Sequence, residues 1–191
     1  PTLAIIGGTG ALGGGLAVRW ASADYPVVIG SRSSKKAVQA AQEINAGNNT
    51  QPVHGTDNKS AAEQGDIVII TVPFSSHSAI LKEISSAIAG KIVADATVPL
   101  MPPKVATVQL PTTGSAAFVT QEALGGRADV VAAFHNVAAD KLRNLGPIDC
   151  DVLVCGNKKS ARQTVIKLVN GLGMRGLHAG PIENSAAAEA L

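Results

Sequence analysis

Residues 3–15 constrain the fold more than any other stretch: Leu3-Ala4-Ile5-Ile6-Gly7-Gly8-Thr9-Gly10-Ala11-Leu12-Gly13-Gly14-Gly15. Four apolar residues run straight into a glycine cluster, and Leu16, Ala17, Val18 and Trp20 then recur at helical spacing. Strand, tight turn, helix is the context in which Gly8-x-Gly10-x-x-Gly13 reads as a dinucleotide fingerprint. Each glycine has an expected task. Gly8 turns the chain sharply off the strand, Gly10 lets backbone approach a pyrophosphate, and Gly13 lets the helix pack closely on the strand. Thr9, Ala11 and Leu12 complete the loop. The helix N-terminus behind it offers free N–H groups and a positive dipole end to phosphates. A turn made only for packing would not need so dense a run of glycine.

The rest of the chain repeats strand and helix. Strands are expected at Tyr25–Gly30, Gln51–Gly55, Asp66–Val72, Lys91–Val98, Asp129–Phe134, Asp151–Gly156 and Arg175–Ala179. Several are continuous β-branched runs, as in a parallel sheet buried on both faces. Helices are expected over Lys35–Ala46, with Val38, Ala41 and Ile44 inward, and over Lys59–Gln64, Ser78–Ala89, Gly114–Leu124, Asp140–Leu145 and Ser160–Leu172. A last helix follows Asn184. Gly47–Thr50 and the proline-rich Leu100–Thr113 read as loops. The expected fold is α/β, a doubly wound, mostly parallel sheet of Rossmann type with a small C-terminal extension. One NADP-binding domain is expected over 1–191, with 129–191 as an extension contributing to the acceptor site.

The end of the second strand speaks to cofactor choice. An NAD site carries Asp or Glu there for the ribose 2′-OH. Here the strand exits into Gly30-Ser31-Arg32-Ser33-Ser34-Lys35-Lys36. A hydroxyl, a guanidinium and two ammonium groups at a helix start suit a 2′-phosphate, so NADP is expected over NAD. The fourth and fifth strands both exit through Val-Pro, at Val72-Pro73 and Val98-Pro99. That pairing predicts adjacent loops on the carboxyl edge of the sheet, where ligands bind. Phe74 is placed to wall a flat ring site or to cap the core. His77 reads as an incidental polar residue at a helix start, His54 as a surface loop residue and His178 as structural. His135, with Asn136 and Val137 after it, lies at the exit of the sixth strand and is the best polar candidate for contact with an acceptor ring. Lys141 and Asn144 are read as a solvated helix face.

Composition excludes several function classes. The chain has 191 residues, 46% hydrophobic and 16% charged, and a formal net charge of +2. No basic run is interleaved with aromatics, so no nucleic-acid partner is expected. No apolar run approaches the about 20 residues of a membrane span. Cys150 and Cys155 match neither CxxC nor a zinc pattern, and no metal site is expected. No signal peptide is expected, and two free thiols suit a reducing cytoplasm.

Taken together, Gly7–Gly13, Gly30-Ser31-Arg32 with Lys36, Thr71-Val72-Pro73, Val98-Pro99, His135, Cys155-Gly156 and Ala179-Gly180-Pro181 with Asn184-Ser185 resemble the deazaflavin-dependent NADP oxidoreductases. These are also called NADPH:F420 reductases, and the resemblance covers essentially the whole chain. It implies that Thr9, Ser31, Arg32 and Lys36 contact the NADP phosphate. It implies that Val72, Val98 and Val137 lie near the nicotinamide, and that His135 and the residues after it line the deazaflavin pocket. It implies coenzyme F420 as second substrate and a homodimer. Two features depart from the pattern: Phe74 stands where the family often has Trp, and the family usually continues with an apolar helix beyond Leu191. A related reductase domain is fused to membrane ferric reductases, so the fold serves other acceptors.

Hydride transfer between two such cofactors demands little acid–base work from the protein. The sequence accords with this, for it holds no Ser/His/Asp arrangement, no paired carboxylates and no residue certain to be catalytic. Three readings stand open. One is hydride transfer between NADP(H) and F420. A second is an NADPH-dependent reductase of a flavin, a pterin or a hydroxy or keto acid. A third is a non-enzymatic NADP-sensing module.

Overall fold

The computed structural model describes residues 1–47, 51–100 and 109–190. Residues 48–50 of the expected loop over Gly47–Thr50 and residues 101–108 of that over Leu100–Thr113 lie outside the described residues. The strands are β1 (Leu3–Ile6), β2 (Val27–Ser31), β3 (Val53–Asp57), β4 (Ile67–Ile70), β5 (Ile92–Asp95), β6 (Asp129–Ala132), β7 (Asp151–Gly156) and β8 (Arg175–His178). The helices are α1 (Ala11–Ser22), α2 (Ser34–Asn45), α3 (Asn58–Gln64), α4 (Phe74–Ile84), α5 (Ala116–Leu124), α6 (Ala139–Leu142), α7 (Lys159–Asn170) and α8 (Ser185–Glu189), with a 3-10 turn at Ile182–Asn184.

All eight strands form one sheet in the order β3-β2-β1-β4-β5-β6-β7-β8. The first six are parallel, β7 runs antiparallel to β6, and β8 is parallel to β7. This is the doubly wound order with its switch point between β1 and β4, where the crossovers reverse direction and a crevice opens at the carboxyl edge. Within the expected extension over 129–191, β6, β7 and β8 are strands of this same sheet.

Alternate residues of each central strand feed two cores. Leu3 and Ile5 of β1 join Trp20, Phe134 and Val165 on one face; Ala4 and Ile6 join Ile70, Ile84 and Leu124 on the other. Trp20 and Phe134 meet edge to face at 5.6 Å between ring centres, and the indole N–H donates to the Leu168 carbonyl at 3.3 Å. Arg19, buried on α1, spends its guanidinium on backbone. It donates to the carbonyls of Leu142 and Leu172 at 3.0 Å each and Gly146 at 2.7 Å, and also to those of Lys141 and Asn144.

Three helix readings are corrected. On α2 the inward face is Ala37, Ala41 and Ile44, while Val38 is 43% exposed. The reason lies in β3: a Cβ at Gly55 would stand 2.2 Å from the Ala37 carbonyl oxygen, so strand and helix backbones touch there and only a small residue fits. α4 starts at Phe74, which places His77 inside its first turn rather than ahead of it. α6 ends at Leu142, so Lys141 and Asn144 do not share a helix face; their carbonyls serve Arg19 instead. His54 is exposed as expected, but on β3.

Candidate active site

The carboxyl edge at the switch point holds a cavity lined by Gly7, Thr9, Gly10, Ser31, Arg32 and Asn58, with Thr71, Val72, Pro73, Ser76 and Ile80 closing its other wall. The fingerprint forms one rim. The left-handed turn falls on Gly7, with φ of 82°, one residue ahead of the expected Gly8. Gly8 is required for packing, because a Cβ there would stand 2.6 Å from Ile29 Cγ2. Gly10 has open space on its ligand side, where a Cβ would meet only the Gly7 carbonyl oxygen at 3.3 Å. Gly13 does pack as expected, since a Cβ would press Thr71 Oγ1 at 2.5 Å and Gly8 Cα at 2.9 Å. Thr71 in turn donates to the Ile6 carbonyl at 2.9 Å, tying the exit of β4 to that of β1.

The end of β2 forms the opposite rim. Ser31 is buried, and its Oγ accepts from the Ser33 N–H at 3.3 Å. Ser33 caps α2 by accepting from the Lys36 N–H. Arg32 is exposed, and no carboxylate pairs with it among the described residues. Lys36 lies on the first turn of α2, exposed, outside the residues that line the cavity. A helix start, a hydroxyl and an unpaired guanidinium converge here, which is chemistry for a phosphate. Val72 and Pro73 sit at the exit of β4 on the same cavity, and Val98 follows the neighbouring β5. Ala11 and Leu12 open α1.

A second polar group lies farther along the edge, beyond β5. His77 and Asp95, both fully buried, pair at 2.8 Å between Nε2 and Oδ2. Thr120 donates to the same Asp95 oxygen at 2.5 Å, and the Thr97 N–H donates to Oδ1 at 2.9 Å. Burial alone would push the His77 imidazole down, but the Asp95 carboxylate outweighs it and holds the imidazole above its ordinary value. Burial would likewise raise Asp95, yet His77, Thr120 and Thr97 bring it down to about 2. His77 is therefore no incidental helix-start residue, and it also stacks on Phe74 at 6.1 Å between ring centres.

His135 follows Phe134, which has a φ of 71°. A bulky residue in the left-handed region is strained, and such strain collects where a fold must aim a neighbouring group. The His135 side chain is 2% exposed, and neither ring nitrogen has a hydrogen-bond partner. Burial brings its pKa down to about 4, against the pull of the Asp95 charge, so the ring is neutral at neutral pH. Its nearest charged neighbour is Glu189 of α8, 3.8 Å from Nε2. Glu189 accepts from the N–H groups of Ala116 and Ala117 at 2.6 and 3.0 Å, capping the start of α5. Burial lifts its carboxyl to about 7, and those two N–H groups restrain the rise. Asn136 is exposed and donates to the Asp151 carbonyl at 2.8 Å, whereas Val137 is buried in the core on the α1 face.

The structure thus gathers Thr9, Gly10, Ser31, Arg32, Val72 and Pro73 into one cavity, and sets His135, Asn136 and Val137 together at the exit of β6. Phe74 is carried by α4, on the opposite face of the sheet from the core that holds Val137. Asn58, Asp95, Thr120 and Glu189 escaped the sequence reading; Thr120 and Glu189 act through partners far away in the chain, and Asp95 meets His77 and Thr120 only through the fold. No cluster of three metal-ligating side chains is present among the described residues. Nor is any described helix long and apolar enough to cross a membrane.

Residues 2–99 match the family described as NADP oxidoreductase, coenzyme F420-dependent. The chain is 37% identical to the F420-dependent NADP reductase of Methanocaldococcus jannaschii, over 99% of this chain and 88% of that one. It is 38% identical to the reductase of the same name from Methanothermobacter marburgensis, over 98% of this chain and 87% of that one. Among solved structures, a protein of Arthrobacter sp. FB24 assigned as an F420-dependent NADP reductase superposes with a TM-score of 0.83 at 25% identity, covering 98% of this chain and 88% of that one. Rat metalloreductase STEAP3 is 26% identical over the whole chain, which spans 36% of that protein. On this full-length likeness, the chain belongs to the family of coenzyme F420-dependent NADP oxidoreductases.

Proposed function

We propose that this protein is an enzyme that transfers a hydride between NADP(H) and coenzyme F420. The observation that carries the reading is the switch-point cavity. A glycine turn and an unpaired Arg32 face each other there in a chain 37% identical to an F420-dependent NADP reductase over nearly its full length. The residues fit a dinucleotide phosphate. The open side of Gly10 leaves a cradle that a larger side chain would fill. Gly8, Thr9, Gly10, Ala11, Leu12 and Gly13 would hold the pyrophosphate, Ser31, Arg32 and Lys36 the 2′-phosphate, and Val72, Pro73, Val98 and Val137 the nicotinamide end.

Bound together, the two rings would exchange a hydride directly, and the proton that reduced F420 also carries would be exchanged with solvent, so the protein need supply no acid. What the chain supplies is position and a dry wall. Val72 and Pro73 close the cavity at the exit of β4. His135, Asn136, Val137 and Phe74 would line the deazaflavin side, and residues 129–191 contribute that side. Neutral His135 can offer one N–H and one lone pair to a ring without carrying charge into the site. The protein acts as a cytoplasmic homodimer on this reading. Two free thiols, Cys150 and Cys155, accord with a reducing compartment, and the family resemblance supports the dimer.

Mixing the protein with NADPH and oxidised F420 tests the reading by the loss of deazaflavin absorbance. Rapid loss with NADPH, and little with NADH or when FMN replaces F420, is expected. Tight NADPH binding without turnover of F420 would move the assignment to another acceptor or to an NADP sensor.

A further inference from the structure

Asp95 ends β5 with its side chain fully buried, at the point where three strand exits diverge. Its backbone lies between Ile70, the last residue of β4, and Ala132, the last of β6. The Ala133 N–H donates to the Asp95 carbonyl at 3.1 Å, and the Ala96 N–H donates to that of Ile70 at 3.0 Å. A carboxylate in such a place is costly unless donors meet its oxygens. The donors that meet this one come from three separate segments: Thr97 of the β5 exit, His77 of α4 and Thr120 of α5.

Two of these bonds reach the walls of the site. The carboxylate accepts from the Thr97 N–H two residues on, which turns the chain after β5 and so sets the course of Val98 and Pro99. His77 follows Ser76 in the first turn of α4, and Ser76 and Pro73 line the cavity. No side chain caps that helix start, and the His77–Asp95 pair, at 2.8 Å, holds it from the core side. Thr120 completes the set. Its hydroxyl lies 2.5 Å from the Asp95 oxygen and 2.9 Å from His77 Nε2, which ties both to α5.

Resting on the NADP and F420 reading above, we infer that Asp95 is a positioning residue for hydride transfer. Through His77, Thr97 and Thr120 it fixes the exits of β4 and β5 against each other, and with them the nicotinamide ring that Val72, Pro73 and Val98 back on that reading. It acts through these partners rather than by contact with either ring. Transfer falls steeply when reacting carbons are misplaced, and about 1 Å of misplacement costs about 100-fold. Affinity is set elsewhere, by Ser31 and Arg32 at the end of β2, beyond β1 and β4 in the sheet. Loss of the carboxylate therefore slows transfer without loosening the cofactor.

Single-turnover reduction of F420 at saturating NADPH, beside equilibrium binding of NADPH, tests this. Asp95→Ala is expected to transfer hydride about 10- to 100-fold more slowly than wild type and to bind NADPH within about threefold of it. Thr120→Val keeps the shape and removes one donor, and is expected to lose about fivefold in rate; Thr120→Ser restores the hydroxyl and is expected to come within about twofold of wild type. With NADPH deuterated at C4, the isotope effect of Asp95→Ala is expected to rise more steeply on cooling, because a ring held less firmly reacts from a wider range of distances. A folded Asp95→Ala at the wild-type rate would overturn the inference, as would a loss of rate matched by an equal loss of NADPH affinity. Should Asp95→Ala not fold, the threonine pair decides: Thr120→Val at the wild-type rate, or Thr120→Ser as slow as Thr120→Val, would overturn it. Wild-type protein that does not reduce F420 would overturn the functional reading and this inference together, whereas wild-type turnover with unimpaired variants would overturn this inference alone.

Discussion

Arg32 carries the choice between the two nicotinamide cofactors. Its guanidinium stands at the rim of the cavity with no carboxylate partner among the described residues, so binding a phosphate breaks no ion pair there. Arg32→Ala should raise the KM for NADPH about 10- to 100-fold, the worth of a charge-assisted hydrogen bond, and leave that for NADH within about threefold. An unchanged ratio of kcat/KM for the two would contradict the assignment. His135 makes a different prediction. Its folded pKa is about 4 against 6.5 for a free imidazole. Between those values the unfolded chain binds a proton that the folded chain refuses, so stability is full above pH 6.5 and falls as the pH drops toward 4. Wild type should lose about 3 kcal/mol more than His135→Gln over that window in urea midpoints taken from pH 8 to 4. Parallel pH curves for the two proteins would contradict burial of a neutral ring. Arg32 was legible in the sequence because an acidic residue is missing where an NAD site has one. Glu189 was not, for its partners lie 72 and 73 residues away and no local pattern joins them.

At the scale of elements, α1 is held less by its own sequence than by what it receives. Three glycines in its first half, Gly13, Gly14 and Gly15, weaken it as a free helix. They are tolerated because neighbours press close: Thr71 against Gly13 and Leu142 against Gly15, where a Cβ would stand 2.5 Å away in each case. Arg19 then binds α1 to the last carbonyl of α6 and to carbonyls in the turns beyond α6 and α7. Arg19→Met keeps the bulk and strands those buried carbonyls, and should cost about 2–4 kcal/mol in denaturant unfolding. A loss below about 0.5 kcal/mol would show that water satisfies the carbonyls instead. Strand positions were largely legible, since buried parallel strands read as apolar runs, and Asp151–Gly156 was found as such. The direction of β7 was not. The stretch between β6 and β7 includes a short helix and could serve a crossover or a return, so the sequence left open what the register Val131–Gly156 and Ala132–Cys155 decides. The α2 face was misread because periodicity ranks Val38 above Ala37, while the α2 backbone at Ala37 lies directly against Gly55 of β3 and Val38 is left exposed.

The molecule as a whole places two chemistries along one edge of one sheet. The fingerprint, the end of β2 and the exit of β4 surround the cavity for the dinucleotide. The exits of β5 and β6 carry the buried group of His77, Asp95, Thr120, His135 and Glu189 beside it. Hydride transfer between two bound rings asks no protein group to pass a proton to a reacting carbon, and the account rests on that direct transfer. Single-turnover reaction of NADPH deuterated at nicotinamide C4, with each of the two stereoisomers in turn, tests that claim most directly when run with oxidised F420 in ordinary water. The account predicts that one stereoisomer delivers its deuterium to reduced F420, read by mass spectrometry, while the other retains it in NADP. Reduced F420 that carries no deuterium from either stereoisomer would contradict direct transfer.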